Sequence, residues 1–169
     1  EVRAAKPLAA GLGYYHPAGP LGDIVRAQTA PRQIAIVGLG CGGSLPLFSA
    51  SDTVTFFELD PNLEALARQH FGYLADAEQR GMALQIIPGD ARLQLRRLDP
   101  QTQFDLGFVD AFSSDAIPTH LLTQEAFDLY ARVLRPQGLV ALHVSNRYYP
   151  LAPVIQRSER AFQQCLVKV

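Results

Sequence analysis

Residues 34–43, Ile-Ala-Ile-Val-Gly-Leu-Gly-Cys-Gly-Gly, decide the fold of this chain, because an apolar strand runs directly into a glycine-rich turn. An acid, Glu58, follows about twenty residues later, near the end of the next apolar run. Gly38 and Gly40 lack a Cβ, so they can take left-handed dihedral angles and let a ligand approach the backbone closely. The Glu58 carboxylate could accept hydrogen bonds from both hydroxyls of a ribose. The pattern predicts a pocket for an adenosine-bearing ligand.

The glycine turn has a second interpretation, because such turns also form merely to join a strand to a helix. The acid at the expected spacing favours the ligand pocket, and Gly42 and Gly43 extend the open backbone surface. The pattern does not separate a dinucleotide from S-adenosylmethionine and its relatives. Both ligands remain as alternatives at this point.

Length and composition favour one domain that binds small molecules. The chain has 169 residues, 48% of them hydrophobic, which is enough to bury a core. Its net charge of −1, from 15 basic and 16 acidic residues, gives no electrostatic footprint for nucleic acid or an anionic membrane. Cys41 and Cys165 match neither a disulfide framework nor a metal spacing. With no apolar run near the roughly 20 residues that span a bilayer, and no signal segment, we expect a cytoplasmic protein.

Strand-like and helix-like patterns alternate after a lead-in, residues 1–30, that is rich in Gly, Pro and Ala and reads as turns at 14–17 and 19–22. The remaining residues, 31–169, form the predicted domain. Its predicted strands cover 33–37, 54–59, 84–87, 104–109, 139–144 and 166–169. Its predicted helices cover 61–71, 92–98, 123–134 and 151–162, with Thr123 as an N-cap and 136–138 as a stop. The alternation predicts an α/β fold: a Rossmann-like, doubly wound, mostly parallel sheet with helices on both faces.

Four acids stand where predicted strands end: Glu58 and Asp60 after the second strand, Asp90 after the third and Asp110 after the fourth. Ligands bind at the carboxyl ends of parallel strands, so these side chains could face one crevice. For each acid alone, a turn or a helix cap is the competing explanation. The set as a whole favours a functional site.

Structural explanations suffice for several other residues. His70 and His120 are expected on a helix surface and in a loop, and His143 is expected as a partly buried strand residue with a satisfied ring. Core packing is expected for Phe56, Phe57, Phe104 and Phe108. No set of His, Cys and carboxylate residues has metal spacing, so no metal is predicted.

Tyr15 and His16 have two interpretations. They could close over a substrate as a lid, or they could simply form a turn beside Pro17. The sequence leaves both open.

These motifs resemble the spermidine synthase-like branch of the class I S-adenosylmethionine-dependent methyltransferase fold. The resemblance spans roughly residues 12–165, and its glycine loop is generic, whereas the stretch 110–115, Asp-Ala-Phe-Ser-Ser-Asp, is fairly specific to this branch. The lead-in 14–22 resembles the segment before the nucleotide domain in bacterial members. The segments that carry the resemblance are 38–43, 57–61, 89–91, 109–118 and 143–147.

The resemblance implies a role for each matched residue. Glu58 would bind the ribose, Asp90 would meet the adenine amino group, and Asp110 would be the catalytic carboxylate beside the nucleophile. The cofactor-binding set is completed by Gly38, Gly40, Cys41, Gly42 and Ala91, and the substrate-binding set by Tyr15, His16 and Asp115. The implied co-substrate is S-adenosylmethionine or its decarboxylated form, without a metal, and the implied partner is a small amine or another small nucleophile; the resemblance also allows a homodimer.

The chemistry at Asp110 fits this role. An amine of pKa near 10.4 is mostly protonated at pH 7, and exposing its lone pair costs about 4 to 5 kcal/mol. A neighbouring carboxylate can orient the amine and accept its proton as it attacks the carbon beside a sulfonium. Methyl and aminopropyl transfer share this chemistry.

The sequence departs from the family pattern in four places. The glycine loop has Cys41 where aminopropyltransferases usually carry an aspartate that holds the amine tail of the decarboxylated donor. Ser113 stands where a second acid is usual, and the next acid is Asp115. The N-terminal β-domain is reduced to the lead-in, and the chain stops at the sixth predicted strand where the fold normally adds a seventh.

Four functions are compatible with the sequence. Aminopropyl transfer to a small amine follows from the resemblance, and methyl transfer from intact S-adenosylmethionine is favoured by Cys41. An NAD-dependent dehydrogenase is permitted by the glycine loop and Glu58 but leaves Asp90 and Asp110 unexplained. A nucleotide-binding module without catalysis belongs to a different class, and Ser113 keeps it open.

Overall fold

The computed structural model describes residues 15–112 and 117–144, together with residues 151, 153 and 155. Its sheet has five strands in the order β3-β2-β1-β4-β5, and every neighbouring pair is parallel. The strands are β1 (Gln33–Val37), β2 (Thr53–Glu58), β3 (Ala83–Pro88), β4 (Phe104–Val109) and β5 (Leu134–Leu142). The helices are α1 (Pro20–Arg26), α2 (Leu63–His70), α3 (Tyr73–Gln79), α4 (Ala91–Arg97) and α5 (Gln124–Val133). The predicted doubly wound parallel sheet is confirmed.

Strand predictions succeed where the strand is continuously apolar. β1 and β4 have the predicted bounds, and β2 and β3 agree with the prediction to within one residue at each end. β5 begins five residues earlier than predicted, because the chain enters the sheet directly after α5. Its register then jumps, since Leu134 lies opposite Phe104 and Leu139 lies opposite Leu106. The predicted strand 166–169 and most of the predicted helix 151–162 lie outside the described residues.

Helix α5 follows its prediction, and two other helices do not. The Thr123 side chain caps α5 by accepting a hydrogen bond from the Ala126 N–H at 3.4 Å. The prediction of a turn at 19–22 is wrong, because α1 begins at Pro20, whose fixed φ suits the first helical position. Helix α3 was not predicted, because Gly72 reads as the end of a helix and the segment that follows has only seven residues.

The glycine turn leads into a short connection. Residues 38–52 contain a single 3₁₀ turn, Leu45–Leu47, and no α-helix. The expected join of strand to helix is therefore wrong in its second half. The chain instead returns to β2 through turns and bends, and Leu45 and Phe48 in this connection are buried.

Both faces of the sheet bury apolar side chains, as the near-continuous apolar strands predict. Along β1, Ile34 and Ile36 pack on one face with Phe56, and Ala35 and Val37 pack on the other. Helix α1 joins the first face through Leu21 and Val25. The four phenylalanines expected in the core are each no more than 5% exposed: Phe56, Phe57, Phe104 and Phe108.

A buried ion pair fastens the amino ends of β1 and β2. The Asp52 carboxylate is fully buried and accepts hydrogen bonds from the Arg32 guanidinium at 2.6 Å and from the backbone N–H groups of Arg32 and Ser49, both at 2.8 Å. The guanidinium also donates to the Val25 carbonyl at the end of α1, at 2.6 Å. The pair ties helix, strands and loop together at the sheet edge opposite the strand ends that carry the predicted site.

Candidate functional site

The strand order reverses between β1 and β4, and the crevice at such a point is where open α/β sheets bind ligands. Gly38 follows β1 and Asp110 follows β4, so both lie at this switch point. Gly38 has φ +97°, and a Cβ there would lie 2.6 Å from the backbone oxygen of Asp110. The Asp110 N–H in turn donates to the Val37 carbonyl at 2.9 Å. Only glycine fits at position 38, which holds the loop and Asp110 together.

The Asp110 carboxylate is the centre of a hydrogen-bonded network. Its Oδ2 accepts a hydrogen bond from the Tyr15 hydroxyl. Its Oδ1 lies 2.7 Å from Nδ1 of His143. The side chains of Asp110 and His143 are only 11% and 13% exposed, so solvent screens the network weakly. The structure thus joins residues that are 95 and 33 positions apart in the chain.

His143 is the residue of this network that sequence reasoning did not assign to the site. The prediction of a partly buried ring with a partner is confirmed, but β5 ends one residue earlier, at Leu142. The partner follows from sheet order: β5 lies beside β4, so the residues after both strands meet. The sequence does place His143 near the end of an apolar strand, where site residues are expected. Only the strand order shows that this strand end lies beside Asp110.

Tyr15 reaches from the glycine loop to Asp110. A Cβ at Gly43 would lie 3.2 Å from the Tyr15 ring, so the ring packs on the loop. The same position lies 3.5 Å from Sγ of Cys41, a half-buried free thiol. His16 is exposed, and its Nδ1 accepts a hydrogen bond from the Ala18 N–H at 3.1 Å within the turn. The structure therefore brings the Tyr15 hydroxyl to Asp110, whereas the hydrogen bond of His16 stays within its own turn.

The Glu58 carboxylate is buried and holds the glycine loop. Its Oε2 accepts a hydrogen bond from the Leu39 N–H at 2.8 Å, and its Oε1 accepts one from the Asp60 N–H at 2.9 Å. Each carboxylate oxygen has a second lone pair, so these bonds leave capacity for ribose hydroxyls. Gly40, in the same loop, has φ +52° and open space within 4 Å of its Cβ position. The loop therefore offers exposed backbone beside a fixed acid.

Two of the four acids also serve as local caps. The Asp90 Oδ1 accepts a hydrogen bond from the Leu93 N–H at 2.9 Å and caps α4, which begins at the buried Ala91. Its Oδ2 lies 3.2 Å from Nε2 of His120. Asp60 is exposed, and its Oδ1 accepts from the Asn62 N–H at 2.9 Å in the turn before α2. The turn thus accounts for the acid at position 60. The cap uses only Oδ1 of Asp90, and its Oδ2 faces His120.

A cavity of about 580 Å³ opens beside Asp90, between α4 and α5. Charges of both signs line it, and the pKa of the exposed Glu125 is lowered by the Thr123 hydroxyl, by its own backbone N–H and by the charge of Arg92. At the inner side of α5, burial raises the pKa of the Tyr130 hydroxyl, which donates to the Leu121 carbonyl at 3.0 Å. The charged residues lining the cavity are Asp90, Arg92, Arg96, His120, Glu125, Asp128 and Arg132.

Comparison with known proteins finds relatives by sequence and by structure. No family model matches the chain. A polyamine aminopropyltransferase from Vibrio vulnificus (strain CMCP6) is 30% identical over 115 residues, which cover 65% of this chain and 36% of that protein. A spermidine synthase in complex with the transition-state analogue AdoDATO has a TM-score of 0.61 at 18% identity, covering 78% of this chain and 45% of that one.

A TehB-like SAM-dependent methyltransferase from Corynebacterium glutamicum ATCC 13032 Kitasato has a TM-score of 0.55 at 20% identity, covering 82% of this chain and 68% of that one. The chain has a methyltransferase-like fold, and part of its sequence is similar to a polyamine aminopropyltransferase. These similar proteins are transferases. The chain spans about a third of the curated relative, 36% of its length.

The predicted departures from the spermidine synthase-like pattern lie only partly within the described residues. Cys41 sits in the glycine loop beside Gly43 and the Tyr15 ring, without a carboxylate at that position. Ser113 and Asp115 lie outside the described residues, so the predicted contact of Asp115 with substrate stays a prediction.

Among the helices that the structure describes, none is long and apolar enough to cross a membrane.

Proposed function

We propose that this spermidine synthase-like chain transfers an alkyl group from an adenosyl sulfonium donor to a small amine. An aminopropyl group from decarboxylated S-adenosylmethionine is the first candidate. The observation that carries the proposal is the Asp110 carboxylate, buried at the β1–β4 switch point with Tyr15 on one oxygen and His143 on the other. The similarity to a polyamine aminopropyltransferase supports the same chemistry.

The connection after β1 favours a sulfonium donor over a dinucleotide. Dinucleotide sites place the pyrophosphate at the N-terminus of an α-helix, where unpaired N–H groups and the helix dipole attract the anion. Here the glycine loop is followed by a three-residue 3₁₀ turn. An adenosyl sulfonium carries no phosphate and needs no such helix. The dehydrogenase alternative loses its main physical support.

The charge of the site suits a cationic donor. A sulfonium is positive, and the nearby carboxylates of Asp110 and Glu58 are largely buried, where electrostatic attraction is stronger than in water. In the reaction the amine nitrogen attacks the carbon beside sulfur, and the C–S bond breaks with its electron pair moving to sulfur. The Asp110 charge stabilises the positive charge that develops on the amine during this attack.

Methyl transfer is the second candidate, and Cys41 favours it. A thiol at this position cannot form an ion pair with the free amine tail of the decarboxylated donor. Nor does it repel the carboxylate in the tail of intact S-adenosylmethionine, as an aspartate would. The two transfers differ only in which carbon beside the sulfur is attacked.

A binding module without catalysis is the alternative from another class. Such a module needs the glycine loop and Glu58 but has no use for a buried carboxylate held by a tyrosine and a histidine. The Tyr15–Asp110–His143 network costs desolvation, and that cost has a reason if the network acts on a substrate.

The test is a product assay that separates the alternatives. The protein is incubated with 1,4-diaminobutane and either donor, and the nucleoside product is identified by mass spectrometry. Aminopropyl transfer releases methylthioadenosine, and methyl transfer releases S-adenosylhomocysteine. Calorimetry with both donors, methylthioadenosine and NAD measures binding independently of turnover.

The matched variants are Asp110→Asn and Asp99→Asn. Asp110→Asn keeps the shape but removes the charge, so we expect transfer to fall by about 10²-fold or more and donor affinity to fall by much less, because the Glu58 carboxylate remains. Asp99 is an exposed acid whose Oδ1 accepts from the Gln101 N–H in a turn far from the switch point, and Asn preserves that bond. Its variant should keep full activity. Binding of NAD with no affinity for any adenosyl thioether or sulfonium would overturn the proposal.

A further inference from the structure

Asp110 and His143 form a carboxylate–imidazole pair with a defined geometry. The Oδ1–Nδ1 distance is 2.7 Å, and both side chains are nearly nine-tenths buried. The His143 backbone N–H donates to the Val109 carbonyl at 2.9 Å, which fixes the start of the side chain beside β4. The Phe112 ring meets the imidazole edge-on, with centroids 4.8 Å apart and planes at 72°. These contacts hold the imidazole ring beside Asp110.

The carboxylate determines which ring nitrogen carries the proton. An ionised carboxylate only accepts hydrogen bonds, so the nitrogen facing it, Nδ1, must be the protonated one. In the neutral imidazole the lone pair then lies on Nε2, the nitrogen opposite the carboxylate. A carboxylate that fixes the tautomer of a histidine in this way is the arrangement by which enzymes prepare an imidazole as a general base.

We propose that His143 is a catalytic base of the transfer reaction, with Asp110 as its positioning partner. This inference rests on the function proposed above and assigns the proton of that reaction to a particular atom, Nε2 of His143. A neutral imidazole can take a proton on Nε2 and still donate its Nδ1–H to the Asp110 carboxylate. Of the two side chains, the imidazole is therefore the better proton acceptor.

The step balances without another reactant. The neutral amine nitrogen forms a bond to the carbon beside the sulfonium, and the C–S bond breaks with its electron pair moving to sulfur, which becomes a neutral thioether. The positive charge passes to the alkylated nitrogen. That nitrogen gives its proton to Nε2, and the resulting imidazolium is stabilised by the Asp110 carboxylate 2.7 Å from Nδ1. The proton then leaves to water.

The inference also bears on the choice of acceptor. A lone carboxylate beside the nucleophile leaves a negative charge that attracts a second ammonium group of a diamine. A carboxylate paired with an imidazole gains a neutral base without adding negative charge, and such a pair also deprotonates hydroxyl and thiol nucleophiles. We therefore expect a site that accepts hydroxyl and thiol nucleophiles as well as amines.

The first test compares two substitutions of the same residue. His143→Asn places an amide N–H where Nδ1 was, so the hydrogen bond to Asp110 survives while Nε2 is lost. We expect its transfer rate to fall by about 10²-fold with unchanged donor affinity and unchanged thermal unfolding. His143→Ala leaves a space, and imidazole added to the buffer should raise the rate of this variant at least about tenfold while leaving the wild type unaffected.

The second test reads the ring without any turnover. Nitrogen-15 NMR of the wild type near pH 8 should show His143 protonated on Nδ1 and bare on Nε2, and Asp110→Asn should change that ratio. Protonation on Nε2 instead would overturn the inference, whatever the activity. If His143→Asn transferred within about threefold of the wild-type rate, the inference would fall while the proposed function stood. If the wild type transferred nothing from either donor, the proposed function would fail first and take this inference with it.

Discussion

Two roles are predicted for the Glu58 carboxylate, holding the glycine loop and binding the ribose of the ligand, and a single substitution can test both. It accepts hydrogen bonds from the N–H groups of Leu39 and Asp60, and the ribose hydroxyls would use its remaining lone pairs. Glu58→Gln keeps the size of the side chain and replaces one acceptor oxygen by an NH₂ group. Because both roles use the same two oxygens, one substitution tests both.

The expected magnitudes follow from burial. Leu39 is 4% exposed, so the amide should turn its oxygen toward the Leu39 N–H and leave its NH₂ group facing the Asp60 N–H, near solvent. The variant loses the hydrogen bond from Asp60, and the one from Leu39 is no longer made to a charged oxygen. These losses should lower the free energy of unfolding by about 1 to 3 kcal/mol, and Tm by about 2 to 4 °C for each kcal/mol. Loss of charge-assisted bonds to the ribose should cost a further 1.5 to 3 kcal/mol of binding, roughly a 10- to 150-fold rise in Kd.

The assay pairs two ligands with two variants. Calorimetry with adenosine and with 2′,3′-dideoxyadenosine isolates the ribose hydroxyls, and the wild type should prefer adenosine whereas Glu58→Gln should bind both equally. Asp60→Asn is the matched control, because Asn retains the Oδ1 that accepts the Asn62 N–H and leaves the Asp60 backbone N–H unchanged. Lowered stability with full preference for adenosine would refute the ribose assignment. Unchanged stability would refute the reasoning about the loop itself.

Three further predictions address the loop and the fold. Cys41→Asp should shift donor preference toward decarboxylated S-adenosylmethionine by about tenfold in competition binding, because it restores a partner for the amine tail; no shift would place the tail elsewhere. Gly38→Ala should lower the free energy of unfolding by more than about 2 kcal/mol, since its Cβ would lie 2.6 Å from the Asp110 carbonyl oxygen at φ +97°, and denaturant titration would measure it. Asp52→Asn should cost about 3 to 5 kcal/mol in the same titration, because it leaves the buried Arg32 charge without its partner, and a loss below about 1 kcal/mol would contradict the described geometry.

The sheet could be predicted from the sequence because its strands are apolar and its parallel pairing demands burial on both faces. The helices were harder. Helix α1 was hidden by the segment Gly-Pro-Leu-Gly at 19–22, which has the composition of a turn but buries Leu21 in the core and Gly22 against the Pro17 backbone. The early start of β5 was hidden for a related reason, since Pro136 and Gly138 signal a stop while the register jump absorbs them inside the strand.

The site divides along a similar physical line. Gly38, Glu58 and Asp110 could be placed at strand ends from local patterns alone, and the structure has them there. The meetings of Asp110 with His143 and of Asp110 with Tyr15 depend on which strands are neighbours and on where the lead-in packs. No local pattern encodes these meetings, because they are set by packing between segments far apart in the chain.

The Tyr15–Asp110 hydrogen bond bridges 95 positions of the chain, and this separation has a consequence for folding. Contacts between distant positions form late, because a long loop must close before the contact returns any free energy. The β1–β4 pairing must come first, since Asp110 has no fixed place until Val37 accepts its N–H. We therefore expect the Tyr15–Asp110–His143 network to be among the last parts of the chain to form and the first to open. A partly folded chain would then bury much of its core before the hydrogen bonds of Asp110 to Tyr15 and His143 have formed.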